Sequence, residues 1–89
     1  MTVSDTKTVT VRYFAAVREA LGTASEQVQT GADTVAGLRA ELRARGGAFA
    51  DQLADERPLR VALNQVMLRE DKPLGSDDEV AFFPPVTGG

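Results

Sequence analysis

Between residues 34 and 46 the chain carries its one helical pattern long enough to cover a sheet, and segments of strand pattern lie on both sides of it. Val35, Leu38 and Leu42 fall on one side of this helix, which stops at Gly46-Gly47. With one covering helix, the strands must gather into one sheet that the helix packs against. Asp33 or Thr34, after a turn at Gly31-Ala32-Asp33, is placed to cap the helix. Gly37 inside it costs about 1 kcal/mol relative to Ala, which points to close backbone packing there. The chain has 89 residues, room for one small domain. A domain of that size buries only roughly 60–65% of the surface its unfolded chain exposes, so the core is thin.

Val9-Thr10-Val11-Arg12-Tyr13 alternates apolar and polar and reads as a half-buried strand, with Val9, Val11 and Tyr13 on one face. Phe14, Val17 and Leu21 follow at i, i+3 and i+7, a short helix ended by Gly22. Ser25 to Thr30 is a polar strand suited to a sheet edge. Ala48 to Glu56 is expected to hold a helical turn that buries Phe49 and Leu53. Leu59, Val61 and Leu63 alternate with Arg60, Ala62 and Asn64 in a third strand, and Gln65-Val66-Met67 is a short return. Arg69 to Lys72 is a solvated turn. Glu79 to Phe83 is the last strand, cut off by Pro84-Pro85, which cannot donate to a ladder. The fold class is therefore α+β, with a flexible stretch at 1–7, a domain at 8–83 and an extended tail at 84–89. The order fits a β-grasp (ubiquitin-like) roll, a mixed sheet with one main helix packed on one face. That the first and last strands lie side by side in mid-sheet follows from that fold, not from the pattern.

Several function classes are excluded or disfavoured by composition. There is no histidine and no cysteine, so the usual general base, the usual zinc ligands and the thiol nucleophile are missing. A stand-alone enzyme is not expected. The net charge of −3 argues against nucleic acid, whose binding rests on neutralising phosphates. Nothing spans a membrane, and the start has no signal-peptide pattern, so a cytoplasmic location is the default expectation. No metal site is expected, and Asp77-Asp78-Glu79 reads as a solvated turn. Arg39, Arg43 and Arg45 read as the wet side of the covering helix.

The tail carries the chemistry. Val86-Thr87-Gly88-Gly89 follows the stiff Pro84-Pro85 pair, and glycine can enter passages too narrow for other residues. A carboxylate on Gly89 is a group that ATP can activate as an acyl-adenylate. The plainer reading is a frayed terminus, but that reading gives no reason for Gly-Gly behind Pro-Pro.

The stretch Val11-Arg12-Tyr13-Phe14-Ala15-Ala16-Val17-Arg18-Glu19-Ala20-Leu21-Gly22 resembles the opening of the small subunits of molybdopterin synthase, a family of ubiquitin-like sulfur carriers. Val61-Ala62-Leu63-Asn64 is similar to that family's Val-Ala-x-Asn segment. Pro73-Leu74 and the run from Asp78 through Gly88-Gly89 resemble its ending. One departure is Asp77, where the family usually has Gly; Asp tolerates a left-handed backbone better than most residues, so the turn should survive. The resemblance implies that a ubiquitin-activating-type adenylyltransferase uses ATP to adenylate Gly89. A persulfide sulfur donor then gives a thiocarboxylate. The charged carrier docks on the synthase large subunit, in an expected heterotetramer, inserts Pro84, Pro85, Val86, Thr87 and Gly88, and passes sulfur to cyclic pyranopterin monophosphate. No cofactor is bound by the carrier itself.

Alternation suggests where docking occurs. With Val80 and Phe82 facing the core, Ala81 and Phe83 face outward, as do Arg12, Arg60 and Ala62 on their strands; an exposed Phe flanked by arginines suits an interface centre. Three other functions stay open: a sulfur carrier for thiazole or cysteine synthesis, a ubiquitin-like protein modifier, and a non-covalent adaptor.

Overall fold

A computed structural model describes residues 6–85. Along the chain run β1 (Lys7–Tyr13), α1 (Ala15–Leu21), β2 (Ser25–Thr30), α2 (Val35–Arg43), α3 (Gly47–Gln52), β3 (Arg60–Leu63), β4 (Val66–Met67) and β5 (Glu79–Phe83). The five strands form one sheet in the order β2-β1-β5-β3-β4. β1 and β5 pair in parallel at its centre, and the other neighbours are antiparallel. This is the β-grasp arrangement, with the polar β2 at an edge as its composition suggests.

Among the described residues, the helices cover one face of the sheet. Val9, Val11, Tyr13, Val28, Val80 and Phe82 point into a core completed by Val17 of α1, Val35, Leu38 and Leu42 of α2, and Leu53 after α3. α2 starts where the sequence allows it to. The Thr34 hydroxyl accepts from the Gly37 N–H at 3.2 Å, and the Asp71 carboxylate accepts from the Ala36 N–H at 2.8 Å, so two otherwise unpaired donors are satisfied. That hydrogen bond from Ala36 is the main cause holding the Asp71 carboxyl below its ordinary range. A Cβ on Gly37 would lie 3.2 Å from the Ala32 Cβ, which is the close packing the glycine suggests.

Two turns hold the middle of the sheet. Asn64 and Gln65 both have positive φ, 51° and 70°, the backbone a two-residue hairpin between β3 and β4 demands. Asn64 is also tied to the start of β5, since its Oδ1 accepts from Glu79 N–H at 2.9 Å and its Nδ2 donates to Asp78 at 3.0 Å. Asp77 has φ 67°, so the position with the unusual residue is left-handed and the turn does survive. Its N–H donates to the Thr8 carbonyl at 2.8 Å.

Two expectations are corrected, at Arg39 and at Phe14. β1 begins at Lys7. The Lys7 ammonium donates to the Ala32 and Leu74 carbonyls, each at 2.9 Å, and this fastens the strand's first residue. Arg39 does not simply face water: its guanidinium donates to the carbonyls of Leu53 at 2.8 Å and Ala54 at 2.6 Å, clamping the end of α3. Burial lowers its pKa. Phe14 is not on the buried side of α1; it is the extended residue before the helix, with φ −128° and ψ 154°, and it faces away from the core.

Candidate functional site

The position of the tail root follows from sheet topology. β1 and β5 run the same way at the centre, so Tyr13-Phe14 and Phe82-Phe83 finish at the same margin. The Phe14 N–H donates to the Phe82 carbonyl at 3.2 Å. β3 runs against β5 and begins there, with Arg60 opposite Phe83. Pro84 and Pro85 come next, half-buried, and without N–H groups they cannot continue the ladder. Val86, Thr87, Gly88 and Gly89 lie outside the described residues.

The helix-free face of the sheet leads to that margin. Register places Ser25, Arg12, Ala81, Ala62 and Met67 in one row across it, with Arg60 and Phe83 paired nearer the tail. All five residues expected from alternation, Arg12, Arg60, Ala62, Ala81 and Phe83, therefore share one side of the sheet. Their exposure differs from expectation in two respects: Phe83, expected to be exposed, is half-buried, and the two alanines are covered. Ala62 and Ala81 are each only 8% exposed, because a methyl group in mid-sheet is overshadowed by the longer side chains around it. They form a floor, and Phe83, Phe14, Arg12 and Met67 are the projecting parts.

Phe14 and Met67 were not anticipated for this face. The Phe14 and Phe83 rings meet edge to face, with centroids 6.2 Å apart at 89°. The Arg12 guanidinium lies over the Phe14 ring at 5.4 Å and approaches Glu79 at 3.7 Å. Phe14 is 39% exposed and Met67 48%. Extending the strand alternation one step past Tyr13 puts Phe14 beside Arg12, which was the signal available in the sequence. Met67 is brought in by its pairing with Ala62 across the Asn64-Gln65 turn.

On the covered side, the polar groups near the margin are committed to structure. The Tyr13 hydroxyl donates to Glu26 at 2.8 Å, and burial, followed by that hydrogen bond, pushes the phenol above its ordinary value. Glu26 also pairs with Arg45 at 2.9 Å, whose guanidinium lies 4.7 Å from the Phe49 ring centre. Pro85 borders a groove of about 520 Å³ between α2 and β3, with Val35, Leu59, Val61 and Leu68 in its walls. Among the described residues, no group of three or more acidic side chains could hold a metal ion, and Asp78 is taken up by the Gly75 N–H at 2.7 Å and by Asn64. Among the described residues the arrangement offers a flat, partly apolar face that ends where Pro84 and Pro85 leave the sheet.

Comparison with known proteins gives the same picture. The ThiS family matches residues 11–89, nearly the whole chain. The chain belongs to the ThiS family. It is 44% identical over 81 residues to a molybdopterin synthase sulfur carrier subunit of Escherichia coli (strain K12), covering 91% of this chain and 99% of that protein. Among solved structures, a Haloferax volcanii protein superposes with a TM-score of 0.82 at 26% identity, over 100% of this chain and 92% of that one. A Helicobacter pylori chain superposes with a TM-score of 0.63 at 28% identity, over 92% of this chain and 99% of its own. It comes from a complex of subunits 1 and 2 of molybdopterin-converting factor. No helix among the described residues is long and apolar enough to cross a membrane.

Proposed function

We propose that this ThiS-family chain is the sulfur carrier subunit of a molybdopterin synthase. The observation that carries the reading is the 44% identity to the Escherichia coli sulfur carrier subunit over almost the full length of both chains. In this reading the chain is no enzyme alone. An ATP-using adenylyltransferase of ubiquitin-activating type adenylates the Gly89 carboxylate. The outer sulfur of a persulfide donor displaces AMP to give an acyl disulfide, and a second thiol then cleaves its S–S bond, leaving the thiocarboxylate on Gly89 and a disulfide on the donor side. The carrier then docks on the large subunit and hands sulfur to cyclic pyranopterin monophosphate as the dithiolene is built. The carrier binds no cofactor and works in the cytoplasm.

Each part of the chain has a distinct task in this scheme. The helix-free face, with Phe14, Phe83 and Met67 projecting over Ala62 and Ala81, is the docking surface. The tail from Pro84 to Gly89 spans at most about 20 Å at ~3.3 Å per residue, enough to enter a neighbour's pocket. Fixed proline φ values lower the ordering cost of insertion.

The test is a change of tail length. Deleting Gly89, or adding one residue after it, should abolish dithiolene formation with purified partners while the melting temperature stays put. One residue moves the reacting end by ~3.3 Å, and a displacement of ~1 Å can cost about 100-fold in rate. Full activity in the lengthened protein would eliminate the carrier scheme, because its Gly89 would have no free carboxylate.

A further inference from the structure

Arg60, like Arg18 of α1 and Arg69, has a guanidinium with no hydrogen bond or ion pair among the described residues, and of these three it is Arg60 that lies in the sheet. Arg12 has Glu79, Arg43 has Asp55, Arg45 has Glu26 and Arg57 has Asp51. Arg39 is spent on backbone carbonyls. Arg60 is exposed, and its guanidinium has neither a hydrogen bond nor an ion pair among the described residues. Its location gives this weight. It is the first residue of β3, opposite Phe83 in register, beside the point where the tail leaves the sheet.

The charge around it is also uneven. The whole chain is net negative, at −3. The docking face runs the other way: Arg12 and Arg60 flank its apolar centre, and Glu79 is the acid that the register places with them, already turned toward Arg12. A surface that docks through Phe14 and Phe83 must cover Arg60 as well, since Arg60 pairs with Phe83 across the ladder. Covering an unpaired guanidinium removes its water and is costly unless the partner supplies an acceptor.

We infer that the partner surface that receives this face carries a carboxylate placed to pair with Arg60 at the mouth of the site that takes the tail, next to an apolar pocket for Phe83. This rests on the docking role proposed above and adds the chemistry of the partner. Guanidinium and carboxylate match in two-point geometry, so such a pair fixes the orientation of the carrier as the tail enters. The Arg12–Glu79 pair leaves Arg60 as the charge with most to gain from an acidic partner. Attraction between unlike charges at a rim acts first on the rate of encounter and fades as salt screens it.

The experiment measures association and dissociation rates of the full-length carrier with the molybdopterin synthase large subunit from the same organism, at low and at high salt. Wild type, Arg60→Gln, Arg60→Glu, Arg43→Gln and Phe83→Asp are compared. Arg60→Gln should lower affinity roughly ten-fold at low salt and Arg60→Glu more, mainly through the association rate, with the gap closing in high salt. Arg43→Gln, on the other side of the molecule, should bind as wild type. Rates for Arg60→Glu equal to wild type at low salt, with Phe83→Asp still impaired, would overturn the acidic partner and leave the docking face standing. A loss in Arg60→Glu that is the same at both salt concentrations would overturn it too, since charge pairing would not be the cause. No effect from either Phe83→Asp or Arg60→Glu would overturn both.

Discussion

Replacing Phe83 by Asp tests whether the helix-free face is a docking surface, and its cost to the fold can be worked out first. Phe83 is half-buried, and its ring contact is the edge-to-face meeting with Phe14. Such a pair contributes about 1 kcal/mol beyond area. Half the burial of a phenylalanine adds about 1 kcal/mol more. The substitution should therefore destabilise the domain by about 2 kcal/mol. A domain of this size has roughly 4–13 kcal/mol of stability, so it stays folded, with its melting temperature lowered by roughly 10 °C. Phe82, fully buried on the other face, is the comparison. Phe82→Asp places an unpaired carboxylate in the core and should leave no folded protein. At the interface the same logic applies to Phe83→Asp, since its charge would be forced into an apolar contact, and affinity for the large subunit should fall about 100-fold or more. Thermal unfolding and calorimetric binding on one preparation read both effects. A Phe83→Asp protein that binds the large subunit like wild type would show that docking occurs elsewhere. One that fails to fold would show that Phe83 acts as core and that the reading of the sheet face is wrong.

Two further expectations concern the fold. Asp77 is left-handed and its side chain has no hydrogen bond among the described residues, so Asp77→Gly should relieve strain that outweighs the added freedom of the unfolded chain. A gain of about 0.5 kcal/mol, seen as a rise of roughly 3 °C in melting temperature, is expected; a fall would mean that the Asp77 backbone is unstrained. Arg39→Met keeps the aliphatic stem but removes the donors to Leu53 and Ala54, which should cost about 2 kcal/mol by denaturant unfolding, with faster amide exchange in α3 than elsewhere.

Much of the fold could be read because each strong pattern had a local cause. Val35, Leu38 and Leu42 recur at helical spacing behind a Thr34 cap, and β5 is bounded by prolines, so both elements were placed closely. The central β1–β5 pairing joins the two ends of the chain, and no local pattern encodes it; it follows from the β-grasp fold as a whole. What was missed depended on contacts distant in sequence. Arg39 looks like a solvated helix residue until the end of α3 arrives beneath it. Phe14 fits a helical spacing with Val17 and Leu21, but the chain stays extended through it, so strand alternation governs where it points. Alternation alone put Arg12, Arg60, Ala62, Ala81 and Phe83 on one face. It could not show that the two alanines lie too low to project, nor that Met67 joins them through the hairpin.

The central claim is that Gly89 carries sulfur, and intact-mass spectrometry tests it most directly. The protein is isolated from its own sulfur-replete cells, with its activating enzyme present, and weighed without reduction or tagging of the tail. Replacing one carboxylate oxygen by sulfur adds about 16 Da, and fragmentation should place the added mass on Gly89. A population with that mass, lost when the activating enzyme is deleted, is the expected result. A protein that never carries it under these conditions would contradict the account.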